Sequence, residues 1–522
     1  MSTHTAESEA RSRPHRGMRT RALGWAALLL GACGGPTTGP DGLPNGQGQL
    51  IISMGGLAPG AVRSEDGSLE CTTSRCVLPR SVPSTVTLVA VPSSGAVFAG
   101  WSGDCSGTGP CKLDLRSNEH RVSASFSLPG SHSAAVGSEG AENVYAAVQD
   151  AQGNTAVTGF LGAAANIEGR SLPQTTFLAQ YSSSGALQWL VPLPLATGQG
   201  VKLAREPSGH LLVAGEFAGR VQLGTVNLTS AGGSDLALLR FDTSGQAVWG
   251  RALGGPEGEQ LFALGVDPLG KIYLSGHTAR MQFDSTSLPA VDTDFTAVLD
   301  ANGSIVRHDS REAVSAFATN SQGRTCVTRR RQFSNEFLVD CQDADGSPAW
   351  TFTTSTRGPN GVAIQAGADG SFFLAGNSSS AVEGSSGASG MFLMRFSAEG
   401  TRLWTRVFPG TSADRLQSMV LEPDGEILLS GYAQSDILDF GDARLVTRDT
   451  AGLGDQVFVA RFTPDGKHAW SMALGSSGTD RGQVLAAGPA GAVLGGVFDA
   501  TVHFGDTERT GRAQDLFLLW LP

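Results

Sequence analysis

The chain of 522 residues carries 37 Lys and Arg against 48 Asp and Glu, a formal net charge of -11, with 70 glycines and 7 cysteines. A negative chain with no Lys/Arg block lacks the basic footprint that neutralises phosphates, which excludes nucleic acid as an expected partner.

At the N-terminus Arg11, Arg13, Arg16, Arg19 and Arg21 precede an apolar run from Ala22 to Ala32, the layout of an export signal over residues 1–32. That run is well short of the roughly 20 residues of a spanning helix. It ends in Leu30-Gly31-Ala32-Cys33, which resembles the lipobox of bacterial lipoproteins. The resemblance implies cleavage before Cys33 and a diacylglycerol on that cysteine, hence a membrane attachment through an N-terminal lipid. Gly34 rather than Asp follows, which by the same resemblance points to the outer membrane or cell surface. An ordinary signal peptide that contains a cysteine is the alternative. Losing residues 1–32, with five Arg and two Glu, takes the charge from -11 to -14. Residues 33–49, mostly Gly, Pro, Thr, Asn and Gln, suit a flexible tether.

Setting Cys33 aside leaves six cysteines, an even number suited to an oxidising compartment. Their spacing gives three near pairs, Cys71 with Cys76, Cys105 with Cys111 and Cys326 with Cys341, predicted as disulfides. The main rival connectivity crosses the first two pairs.

From residue 50 to 129 short β-patterned runs alternate with Gly/Pro/Ser turns, as in Val86–Ala90 and Val122–Phe126, where period-two alternation predicts strands with one buried face. At the centre stands Phe98-Ala-Gly-Trp101-Ser-Gly-Asp-Cys105, followed by Cys111 and Val122-Ser-Ala-Ser-Phe126. This stretch resembles the divergent B-repeat module of bacterial surface proteins, which implies a spacer or adhesion role. Phe98 and Trp101 are the expected core, and two local disulfides would staple what so small a core cannot hold.

Residues 130–522 repeat themselves. A turn ending in Gly is followed six residues later by a second Gly: Gly153 with Gly159, Gly209 with Gly215, Gly270 with Gly276, Gly370 with Gly376, and Gly425 with Gly431. Two copies are degraded, Gly323 with Arg329, and Gly491 with Val497, where Gly496 falls one place early. A second mark sets Gly four residues before Trp at Trp189, Trp249, Trp350, Trp404 and Trp470, with Arg307 in the tryptophan place after Gly303. The tryptophan is expected to fill the space between neighbouring sheets. Four strands per unit and seven units predict a seven-bladed β-propeller, so the chain as a whole is expected to be all-β. Asp235–Asp242 and Asp455–Phe462 give the region its resemblance to SBBP-type β-propeller repeat proteins. The chain ends on a third strand, Leu516–Leu521, so the seventh unit lacks its fourth, which residues around His132 to Val136 would supply. Blade four is irregular, and Arg329, Arg330 and Arg331 are read as a solvated hairpin tip.

No H-E-x-x-H, G-x-S-x-G or G-x-x-x-x-G-K-[ST] pattern is present. Asp343-Ala-Asp-Gly346 sits at a repeat turn and is read as a plain turn, not a calcium loop. Lys202, Arg205 and Glu206 are the nearest approach to a polar cluster on a channel-lining strand. No cofactor, metal or catalytic residue is expected. The leading reading is a non-catalytic cell-envelope protein that binds a protein or glycan partner through propeller loop faces. The alternatives are an enzyme acting on envelope polysaccharide or peptidoglycan, favoured by clustered carboxylates at the channel mouth, and an outer-membrane assembly factor.

Overall fold

The computed structural model describes residues 47–522 except 59, 73–74, 94–95, 117–118, 197–199, 280–281, 284–285, 288–292, 311–313, 331–336, 355–359, 379–389, 411–413, 442–443, 447–453, 477 and 505–506. Cys33, the leader and nearly all of the tether lie outside the described residues. Every regular element among the described residues is a β-strand.

Two four-stranded sheets come first. One runs Arg75–Ser81, Gln47–Gly56, Glu119–Ser127, Val97–Gly103; the other runs Glu70–Cys71, Gly60–Ser64, Ser84–Pro92, Cys111–Leu115. The alternation over residues 122–126 has its expected consequence: Val122, Ala124 and Phe126 are buried. Phe98 meets Trp101 edge-on at 5.0 Å and Phe126 at 5.6 Å. The indole N–H of Trp101 donates to the Gly109 carbonyl at 2.8 Å, which satisfies the one polar atom this side chain brings into the core. The disulfides are the local pairs, Cys71–Cys76 and Cys105–Cys111, not the crossed set.

The rest of the chain forms, among the described residues, seven four-stranded antiparallel sheets. The second is representative, with strands Lys202–Arg205, Leu211–Phe217, Asp235–Phe241 and Ala247–Leu253 in spatial order. The thirteen glycines that end the tight turns between first and second and between third and fourth strands have φ between +77° and +97°. A side chain would be strained in that left-handed conformation, so the spacing of these glycines sets strand length throughout. The second glycine of the first mark has another task. Opposite it the first strand bulges, as between Val144 and Ala146 across from Gly159. A Cβ at Gly159 would meet the Asn143 carbonyl at 2.6 Å and the Phe177 ring at 2.7 Å. In the seventh sheet Gly496 takes this role opposite Gly482, because the first turn there is shorter and Gly488 pairs directly with Gly491.

Neighbouring sheets are joined along their first strands by a recurring polar lock. A second-strand side chain reaches the bulged first strand of the next sheet: Thr158 donates to the Val201 carbonyl, Glu216 accepts from Leu261 N–H, and Asn377 both donates to and accepts from Leu416. Between the seventh sheet and the first the contact comes instead from a first-strand side chain, Gln483, which accepts from Val144 N–H at 3.0 Å.

At one rim Trp189, Trp249, Trp350 and Trp404 lie over the next sheet's turn. A Cβ at Gly245 would meet Trp189 at 2.7 Å, and one at Gly400 would meet Trp350 at 2.6 Å. The indole N–H donates to a carbonyl of that same turn, from Trp189 to Thr243, Trp350 to Ala398 and Trp404 to Pro464. At the other rim the sequence reading missed an element. Among the described residues five sheets carry a two-stranded hairpin inserted between the second and third strands, for example Arg220–Leu223 with Val226–Thr229 and Ile437–Asp439 with Arg444–Val446. Its apolar side chains wedge against the preceding sheet, as Phe440 does with Phe408 at 5.3 Å.

The last sheet draws on both ends of its chain segment. Arg481–Gly488, Gly491–Phe498 and Asp515–Leu521 are completed by His132–Val136. Trp520 faces His132 and Leu516 faces Val136, the register in which Arg240 faces Trp249 and Leu236 faces Leu253. His132 therefore stands in the tryptophan place; it stacks on Trp520 at 4.8 Å and lies over Gly185. Leu57 and Leu128 of the small module join the apolar cluster around Leu521 and Trp470, so the module packs where this sheet lacks a turn between its last two strands.

In the fourth sheet Cys326 and Cys341 face each other across the strand pair and are bonded. The reading of Arg329 as part of a solvated tip is corrected: Arg329 is 7% exposed, lies opposite Val314 and pairs with Asp340. Arg331 lies outside the described residues. Asp343–Gly346 is a tight turn, with Asp343 paired to Arg324.

Removing residues 130–137 takes away the strand that pairs with Asp515–Leu521 and bares an edge. The melting temperature of the whole seven-sheet region is expected to fall by about 5 °C or more in scanning calorimetry; an unchanged value would contradict the pairing.

Candidate functional site

Three places could hold chemistry: the turn rim where the first strands end, the loop rim where they begin, and the strands between. At the turn rim a cavity of about 620 Å³ is lined by Thr319, Asn320, Gln365, Ala366, Leu421 and Ala487 among others. Its carboxylates are already engaged. Glu422 pairs with Arg461, and Asp369 with Arg395 at 2.5 Å. The neighbouring turns use their acids and amides in the same way: Asp150 accepts from Gln152 and Asn154 N–H, Asp267 from Leu269 and Lys271 N–H, and Asn320 from Gln322 and Arg324 N–H. These side chains close the turns that the glycines begin. Ser371 holds the Asp369 carboxyl below its usual range, as an accepted hydrogen bond favours the charged form.

Lys202, Arg205 and Glu206 do not converge. Glu206 is buried and pairs with Arg240 of its own sheet at 2.6 Å, Arg205 donates to the Gly209 carbonyl, and burial lowers the Lys202 pKa while nearby Glu216 opposes that shift.

At the loop rim the structure brings out a third repeated mark that sequence reasoning missed. A buried acid stands immediately before the first strand at Glu142, Glu259, Asp414 and Asp480, each at most 1% exposed. Each ties down a connecting segment. Asp414 accepts from Gln434 and Ser435 N–H at 2.8 and 2.9 Å, Glu259 from the Thr278 hydroxyl at 3.0 Å, and Asp480 from Asp499 N–H at 3.2 Å and the Ser476 hydroxyl at 2.9 Å. The third strand begins with a second buried acid in several sheets, and the two meet across a seam: Glu259 N–H donates to Ser234 beside Asp235, and Asp480 N–H to Asp455 itself. The signal was a glycine four or five residues ahead of an acid, in Gly254 to Glu259, Gly410 to Asp414 and Gly475 to Asp480.

Burial pushes Glu259 and Asp480 up to about 7. Shifts of this kind mark acid–base centres when the group can reach a substrate. Here both are enclosed and bonded to the loops they anchor, so the shift measures desolvation and not readiness for catalysis. Among the described residues no three His, Cys, Asp or Glu side chains are arranged to hold a metal ion.

The family described as the divergent InlB B-repeat domain matches residues 82–130. No curated protein sequence matches the chain significantly. Several solved structures are similar at low identity. Hydrazine synthase of Kuenenia stuttgartiensis is 11% identical, covering 70% of this chain and 94% of its own, with a TM-score of 0.41. The Pan2 WD40 domain of Neurospora crassa is 10% identical over 63% and 89%, with a TM-score of 0.35. A Dyadobacter fermentans protein of unknown function is 11% identical over 76% and 100%, with a TM-score of 0.38.

An acid whose folded pKa is raised contributes stability that is present below its unfolded value and lost as pH rises through the folded one. For Asp480 that window runs from 3.8 to about 7. Asp480→Asn removes this dependence, so the stability of the parent relative to the variant is expected to fall across the window, by at most about 1.4 kcal/mol per pH unit. Melting temperatures of the two proteins measured side by side check this; parallel curves would contradict it.

Proposed function

We propose that the seven sheets are the blades of a closed β-propeller and that the chain is an exported, lipid-anchored envelope protein. The propeller and its B-repeat module would act as a binding and scaffolding body held off the membrane by the tether. What supports closure is the shared register of His132–Val136 and the other fourth strands. What supports export is the set of three disulfides, which persist in oxidising compartments.

The observation that carries the binding reading is the fate of the carboxylates. At the turn rim they close turns or pair with arginine, and at the loop rim they are buried anchors. Clustered, accessible acids at the channel mouth would have favoured a glycan- or peptidoglycan-cleaving enzyme. Instead the turn rim offers a concavity with amide, hydroxyl and apolar walls, a surface suited to recognition.

The test is a pull-down from detergent-solubilised envelopes with the lipidated chain as bait and Cys33→Ala as control. A partner retained by the lipidated form, and lost when residues 130–522 are absent, is the expected result. Turnover of soluble glycans with no retained partner would overturn the binding reading in favour of an enzyme.

A further inference from the structure

The seam between the third and fourth sheets departs from the repeat in more than one place. In the tryptophan place Arg307 lies over the next turn, where a Cβ at Gly346 would meet its Nη1 at 2.7 Å. Only six residues separate Arg330 from Phe337, fewer than at this point in any of the five sheets that carry an inserted hairpin among the described residues. A second departure falls in the same seam. Arg329 occupies the place of the bulge glycine, opposite Val314 as Gly159 is opposite Val144. These repeat-breaking residues line one cavity of about 620 Å³, within the ~300–1,000 Å³ range of small-ligand pockets.

The walls of this cavity specify a chemistry. Tyr273 and Phe317 make an aromatic side, their rings 5.7 Å apart. Thr296 contributes a buried hydroxyl with no hydrogen-bond partner. Such an atom carries a desolvation cost unless a ligand or water meets it. Leu269 and Val306, at 75% and 62% exposure, are the most exposed large apolar side chains among the described residues, and both line the same cavity. Five aspartates against three cations leave the lining net negative, which opposes an anion. A purely apolar ligand would strip water from Arg307 and Gln342 and would leave the Thr296 hydroxyl unmet.

We propose that this seam cavity binds a neutral saccharide unit of a glycan chain. A sugar ring is amphipathic, so its C–H face suits the Tyr273 and Phe317 side. Its hydroxyls both donate and accept, as a lining of mixed guanidinium, amide, carboxylate and hydroxyl groups requires. The inference rests on the binding reading above and adds the ligand class and its place. It also explains the irregular fourth unit: the substitutions that degrade the repeat open a site that tryptophan closes elsewhere.

The experiment is titration calorimetry of the full chain with cello-, malto- and chito-oligosaccharides, with a uronate-containing oligosaccharide as the acidic counterpart. At least one neutral series is expected to bind, at least about tenfold more tightly than the acidic one. Arg307→Trp restores the repeat residue and fills the cavity; it is expected to raise the melting temperature and weaken saccharide binding by about tenfold or more. Thr296→Val and Tyr273→Leu, which leave Arg307 in place, are expected to weaken binding several-fold and decide the matter should Arg307→Trp not fold. No binding of any neutral saccharide, preference for the uronate, or undiminished binding by these variants would overturn the proposal. A negative here alongside a retained partner in the pull-down would remove the saccharide site and leave the scaffold reading standing.

Discussion

An aromatic ring laid on a left-handed glycine turn of the next sheet is the contact on which the seven-sheet region depends. It works because two demands meet at one residue. The turn between the third and fourth strands needs positive φ at Gly245, Gly400 and their equivalents, and the incoming indole needs a surface with no Cβ. Glycine satisfies both at once. The indole N–H of Trp189, Trp350 and Trp404 then finds a carbonyl in the same turn, so there the large apolar surface is covered without leaving its polar atom unmet. Trp189, Trp249, Trp350 and Trp404 each carry this contact to the next sheet, and Arg307 takes the ring's place between the third and fourth. Where the chain is interrupted, His132 takes the ring's place and Leu57 and Leu128 cover the missing turn.

Two further contacts act along each seam. The bulge opposite the second glycine turns first-strand backbone groups toward the neighbouring sheet, where Thr158, Glu216 and Asn377 meet them. The buried acids ahead of the first strands fix the segments that connect one sheet to the next. With many carboxylates used in this way, the polar surface left for recognition consists of amides, hydroxyls, arginines and, in the third-to-fourth seam, aspartates. Function then sits where the repeat departs from itself, and the third-to-fourth seam is the clearest departure.

The glycine and tryptophan spacings made the sheet order, the tight turns and the donated strand legible, because each recurs at a fixed place and has a steric reason to do so. The pairing of Cys326 with Cys341 was legible for a related reason, since a short antiparallel hairpin sets the two opposite. The accessory hairpins were missed although Val221-Gln-Leu223 and Val226-Asn-Leu228 alternate around Gly224. They vary in length from unit to unit, so no period exposes them. Arg329 was misread because three consecutive arginines suggest a solvated tip, whereas the repeat register places the first of them inside the sheet, where Asp340 offsets its charge. The acids before the first strands lay in loops of uneven length, and their role depends on backbone N–H groups far along the chain.

Hydrogen exchange at the two chain segments that share the last sheet tests the central claim most directly. If His132–Val136 closes the series, its amides and those of Asp515–Leu521 will show protection of the same order as interior strands such as Leu211–Phe217. Free exchange over residues 132–136, with residues 515–521 exposed on one side, would show that the seventh sheet has an open edge and that this account of closure is wrong.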